Sequence, residues 1–167
     1  SLNVPLGIEG FWNGSSMVSD DVTVELRNST APYSLVDQAI EKVNYHGYAT
    51  YEFNNASTGS YYIVLKHRKS SAPIAVTAGG NYDYNFTTSA TQTFGGNTTL
   101  KSSVFCVFSG DINQDQTIDA GDLALVENGN GNGGYLPEDV TGDDYVDAGD
   151  LALVENNKDL GIYVVQP

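Results

Sequence analysis

Apolar and polar positions alternate in short runs through the first part of the chain. Thr23–Asn28 (TVELRN), Tyr48–Phe53 (YATYEF), Tyr61–His67 (YYIVLKH), Tyr82–Thr88 (YDYNFTT) and Ser103–Phe108 (SVFCVF) are rich in β-branched and aromatic residues. That patterning predicts strands, and the polar stretches NNASTGS, TAGGN and FGGN between them predict turns. Tyr33–Val43 carries a helix-compatible spacing as well, and a strand followed by a turn is the preferred reading there.

Beyond Ser109 the rhythm lengthens into an internal repeat. Residues 111–138 lie over residues 139–166 without a gap, and DAGDLALVEN is identical in both copies. The register persists to the ends, with Tyr135 over Tyr163. Two copies are too few for a stacked solenoid, so the repeat reads as a pair of local units. Short strands at near-regular spacing before it predict a two-sheet sandwich of the immunoglobulin-like kind. The expected architecture is therefore two domains, an all-β sandwich over residues 1–108 and a small helical module over residues 109–167.

Charge draws the same boundary. Of 21 acidic and 7 basic residues, residues 109–167 hold 13 acids and one base, Lys158, whereas residues 1–108 hold 8 acids and 6 bases. The net charge of −14, with no basic run beyond Lys66, Arg68 and Lys69, argues against nucleic acid or an anionic membrane as a partner. No apolar run approaches the length of a membrane-spanning helix. The first residues lack both an initiating Met and the plan of a signal peptide, so a mature protein or an excised fragment is expected.

The acids of the repeat are spaced for chemistry. DINQDQTIDAGD, Asp111–Asp122, puts oxygen donors at its first, third, fifth, ninth and twelfth positions, and DVTGDDYVDAGD, Asp139–Asp150, does so again. This is the ligand pattern of an EF-hand-type loop, in which the seventh residue contributes its backbone carbonyl. The first set is Asp111, Asn113, Asp115, Thr117, Asp119 and Asp122. The second is Asp139, Thr141, Asp143, Tyr145, Asp147 and Asp150. Hard oxygen donors without His or Cys select Ca2+, and two ions are expected. Solvated acidic turns are the alternative, which two copies in register disfavour. Gln116 and Asp144 hold the sixth position, where a left-handed backbone is needed and Asp is better tolerated than Gln. Ile118 and Val146, at the eighth, are expected to turn inward and pair with each other. Asp119 and Asp147 are placed to cap the helices that follow.

Duplicated loops of this type, each followed by a helix, without a leading helix and with Asp at the twelfth position, resemble the dockerin modules of secreted bacterial and archaeal proteins. The resemblance covers residues 109–167. It implies a calcium-folded module that docks onto a cohesin domain of a scaffold or cell-surface protein, in a cellulosome-like assembly. It places the recognition pair at the tenth and eleventh loop positions, Ala120-Gly121 and Ala148-Gly149, with Leu123, Val126, Leu151 and Val154 either in or beside the interface or, equally, in the core. In the family such symmetry of the copies can allow two binding orientations, and the sequence leaves a single or a dual mode open here. The stretch VTVELRN…GYATYEFNNASTGSYYIVLKHR, in which Gly59 precedes Tyr61, resembles the small transthyretin-like sandwiches, and the sandwich as a whole resembles the accessory X-module that often precedes a dockerin.

Other chemistry is thinly supported. His46 and His67 stand without patterned partners, Cys106 lies in an apolar run as a buried thiol would, and catalysis is not expected. A carbohydrate-binding sandwich is the rival reading, motivated by Trp12, Tyr61, Tyr62, Tyr82 and Tyr84, although these also suit sheet packing. A calcium-stiffened spacer is another. Five Asn-x-Ser/Thr triplets begin at Asn13, Asn28, Asn55, Asn85 and Asn97, and matter only in a glycosylating host. An extracellular location is expected because millimolar calcium fills even weak sites.

Overall fold

The computed structural model describes residues 1–68, 74–78 and 82–165, the side chains of residues 74–78 and of Tyr82 excepted. Lys69, the turn expected at residues 79–81 and the end of the second repeat at Gln166 lie outside the described residues.

Three sheets make up the first domain. β1 (Leu2–Pro5) runs between β4 (Tyr48–Tyr51), antiparallel to it, and β7 (Tyr82–Asp83), parallel to it. β3 (Leu35–Val43), β2 (Asp20–Asn28), β5 (Ser60–His67) and β6 (Ile74–Ala78) form a four-stranded sheet in that order. β8 (Thr98–Lys101) and β9 (Val104–Val107) pair as a hairpin, which joins the β1 segment through the bridge of Ile8 with Val107.

The core lies between the sheets. Leu2, Val4, Leu6 and Ile8 enter it at every second position, opposite Val22, Val24 and Leu26 of β2 and Ile63 and Leu65 of β5. Within Tyr33–Val43, Leu35–Val43 is a strand and not a helix, as preferred. Of the strand expected over Tyr82–Thr88 only Tyr82–Asp83 is regular strand, although Tyr84 N and Phe86 N still donate to Asn3 O and Pro5 O; further on, the Asn85 carboxamide accepts from Thr87 N and Oγ1 and turns the chain.

The second domain has α1 (Ala120–Gly129) and α2 (Ala148–Lys158) packed together over its own core of Ile112, Ile118, Val126, Val140, Val146 and Val154. Each helix starts with a capping box. Asp119 accepts from Gly121 N while Asp122 receives Asp119 N, and Asp147 and Asp150 do the same one repeat later.

The domains meet closely. Glu9 Oε2 accepts from Asn157 Nδ2 at 2.6 Å and from Ser109 N at 3.3 Å, all three residues being buried. Gly10 faces Val140 so tightly that an added Cβ would lie 1.9 Å from the Val140 carbonyl oxygen. No described helix is long and apolar enough to cross a membrane.

Candidate calcium loops and docking surface

In both loops the carboxylates organise the backbone. Asp111 accepts from Asp115 N and Gln116 N, Asp115 from Thr117 N, and Asp122 from Ile112 N and Asn113 N. The second loop repeats this with Asp139, Asp143 and Asp150, and the Thr141 hydroxyl joins by donating to Asp150 at 3.0 Å. The fourth and sixth residues are left-handed in each loop, Gln114 and Gln116 (φ 60° and 79°) matched by Gly142 and Asp144 (φ 74° and 67°). The left-handed requirement at the sixth position was readable from the sequence; the one at Gln114 was missed.

The first and twelfth donors, Asp111, Asp122, Asp139 and Asp150, are buried, and those at the third and fifth positions and the ninth line the outer part of each loop. Burial, reinforced by the charges of Asp122 and Asp115, pushes the Asp111 carboxyl up to about 6. A cation beside it would favour the ionised form. Among the described residues no three Asp, Glu, His or Cys side chains are drawn together as a ready-made metal cluster. In each loop the candidate set also uses neutral oxygens, the Asn113 carboxamide and Thr117 carbonyl in one, the Thr141 hydroxyl and Tyr145 carbonyl in the other. The donor chemistry fits a hard divalent cation.

Ile118 and Val146 are buried in the module core as expected, but their backbones do not pair with each other. Each loop instead bridges the segment that follows the helix of the other repeat, Thr117 with Tyr163 and Tyr145 with Gly133.

Against known proteins, no protein-family model and no curated protein matches the chain. Solved structures do. A chain from an N-terminal interface mutant of a type II cohesin–X–dockerin complex from Acetivibrio cellulolyticus superposes with a TM-score of 0.50, at 14% identity over 93% of this chain and 90% of that one. A chain from the C-terminal interface mutant of that complex gives 0.55 at 14% identity, covering 93% of both. The fold is that of these cohesin–X–dockerin structures. It spans both domains, the β-sheet region and the packed two-helix module, in one superposition.

Placed on this X–dockerin-like fold, the residues expected at the partner face divide. Ala120, Gly121, Ala148 and Gly149 are exposed, and Leu123 and Leu151 are half-buried against the module core. Val126 and Val154 are fully buried in that core, so of their two expected places core packing holds and the interface is corrected: the helices turn both into the one module interior, with no surface for a partner. Three exposed tyrosines were missed, Tyr135, Tyr145 and Tyr163. In the sequence Tyr145 was marked only for its backbone carbonyl, as the seventh donor of its loop, and Tyr135 and Tyr163 only by their shared register.

The remaining candidates are structural. His67 has a partner after all, its Nε2 lying 2.9 Å from Asp20 Oδ2 in the interior, while His46 stacks on Tyr45 in an exposed turn. Burial pushes the Cys106 thiol up to about 12. Trp12, Tyr61 and Tyr84 pack against the sandwich core and Tyr62 against Tyr33 and Phe94, as sheet residues do. The side chain of Tyr82 lies outside those described.

Proposed function

We propose that this chain is a calcium-dependent docking module that binds a cohesin domain and so anchors a secreted protein to a scaffold or cell surface. Residues 109–167 are the dockerin-like unit and residues 1–108 its X-module-like companion. The observation that carries the reading is the duplicated donor loop feeding a capped helix, set within a fold shared end to end with cohesin–X–dockerin structures. Two Ca2+ ions would be held by the first set, Asp111 to Asp122, and the second, Asp139 to Asp150. The partner would meet the exposed Ala120-Gly121 and Ala148-Gly149 together with the half-buried Leu123 and Leu151. Such loops fill at extracellular calcium levels.

Calorimetric titration of the chain with calcium, then with a type II cohesin in calcium and in excess chelator, tests this. Two ions bound and cohesin binding only with calcium is the expected result. Two ions without binding to any of a panel of cohesins would leave a calcium-stabilised spacer. No calcium binding would remove the docking reading altogether.

A further inference from the structure

The segments that follow the two helices each serve the loop of the opposite repeat. Ile162–Val164, after α2, lies along the first loop, with Ile118 N donating to Ile162 O at 3.0 Å and Val164 N to Gln116 O at 2.9 Å. Gly131–Gly134, after α1, lies along the second, with Val146 N donating to Asn132 O at 2.9 Å and Gly134 N to Asp144 O at 2.8 Å. Successive carbonyls of an extended backbone point to opposite sides. By fixing the sixth carbonyl and the eighth amide toward itself, each strap turns the seventh carbonyl, Thr117 or Tyr145, away from it. That carbonyl is the backbone donor the loop would offer to calcium.

The sandwich holds the first strap directly and the second through the residues that follow it. Tyr163 O accepts from Asn97 Nδ2 at 2.8 Å, and Val165 packs over Gly95, where a Cβ would meet it at 2.8 Å. On the other side, Tyr135 donates through its hydroxyl to Asp20 Oδ1 at 2.7 Å and stacks its ring 3.5 Å from the Arg68 guanidinium, which also donates to Leu136 O. Each strap is thus paired with a loop of one domain and tied to the other domain, the first at Tyr163 and Val165 within and after it, the second at Tyr135 and Leu136 just beyond it.

We infer that the sandwich takes part in calcium binding: Asn97 and Tyr135 are positioning residues that set the affinity of the first and the second loop respectively. The inference rests on the reading of the loops as calcium sites. Because coupling between two events is reciprocal, calcium in each loop tightens the corresponding contact between the domains. An interface that merely stabilised the module would alter both loops together.

Nuclear magnetic resonance resolves the two sites. The amides of Gln116 and Asp144, each donating to the first carboxylate of its loop, are followed while calcium is titrated against a competing chelator. Loss of one neutral hydrogen bond predicts that Asn97→Ala weakens the Gln116-reported site about fivefold and spares the Asp144-reported one. Tyr135→Ala should give the opposite pattern, and Tyr135→Phe, which keeps the ring over Arg68, a milder form of it. Thermal unfolding of each variant in saturating calcium separates a folding defect from a change of affinity. Equal losses at both sites, or none, would overturn the inference while leaving the calcium reading intact. Absence of calcium binding by the unsubstituted chain would remove both.

Discussion

Gln116 sits with φ near 79° where Asp144, its counterpart, sits near 67°. A side chain in the left-handed region costs about 1–2 kcal/mol, and the extra freedom of glycine in the unfolded chain costs about 0.5–1 kcal/mol in return. Gln116→Gly should therefore raise stability by roughly 0.5–1 kcal/mol, read as a higher urea midpoint with an unchanged slope. The twelve-residue pattern made this position legible, since it is local. The burial of His67 was not, because its partner Asp20 is 47 residues away in sequence. Burial opposes ionisation of Asp20, but hydrogen bonds from His67, Tyr135 and Arg68 outweigh it and hold the carboxyl well below the usual range. A lowered folded value means that Asp20 contributes stability above its unfolded pKa, about 4. That contribution is lost as the pH falls through the folded value. Asp20→Asn should accordingly lower stability at neutral pH and blunt the acid limb of a pH-dependent unfolding series.

At the scale of elements, the loops, caps and helices of the repeat were legible because each is contiguous, whereas the crossing of each strap to the opposite loop was not. β1 was missed even though Leu2, Val4, Leu6 and Ile8 alternate cleanly, since Pro5 and Gly7 interrupt the run and the pairing strands are remote. β8 is short and polar, and only its hairpin partner β9 shows that it is a strand. Ile118 and Val146 share the module core, but the segments beside them are the two straps: their position in the loop reports that they face inward, and says nothing of which backbone lies beside them. Within the helices, identical sequences hide different duties. Val126→Ala removes two methyl groups from a fully buried position and should cost roughly 2 kcal/mol in unfolding measurements. Leu123→Ala and Leu151→Ala, half-buried, should cost less stability. If the two faces are equivalent, each single change should barely weaken cohesin binding and the double change should weaken it strongly, as measured by calorimetry.

Across the whole molecule, the joint between the domains carries a buried acid. Burial pushes Glu9 above its ordinary value, against the opposing hydrogen bonds from Asn157 and Ser109 and the charge of Lys101. With the folded value raised, this group favours the fold below its unfolded pKa, and that advantage is lost as pH rises through the folded value. Glu9→Gln should flatten that decline as the pH rises from the unfolded value through the folded one, as followed by urea midpoints. Gly10→Ala should separate the domains, because its methyl group would collide with the Val140 carbonyl; the expected signature is loss of a single cooperative transition in calorimetry. These contacts join residues about a hundred positions apart or more, as Ser109 and Asn157 are from Glu9, and no short motif encodes them. The crossed straps have one more consequence. A strap that already crosses to the opposite repeat can cross equally well to the same loop in a second molecule, with Gly161 (φ 65°) as the hinge after α2. Refolding at high concentration should then yield some exchanged dimers whose loops are built as in the monomer, seen as a dimer fraction in size-exclusion chromatography.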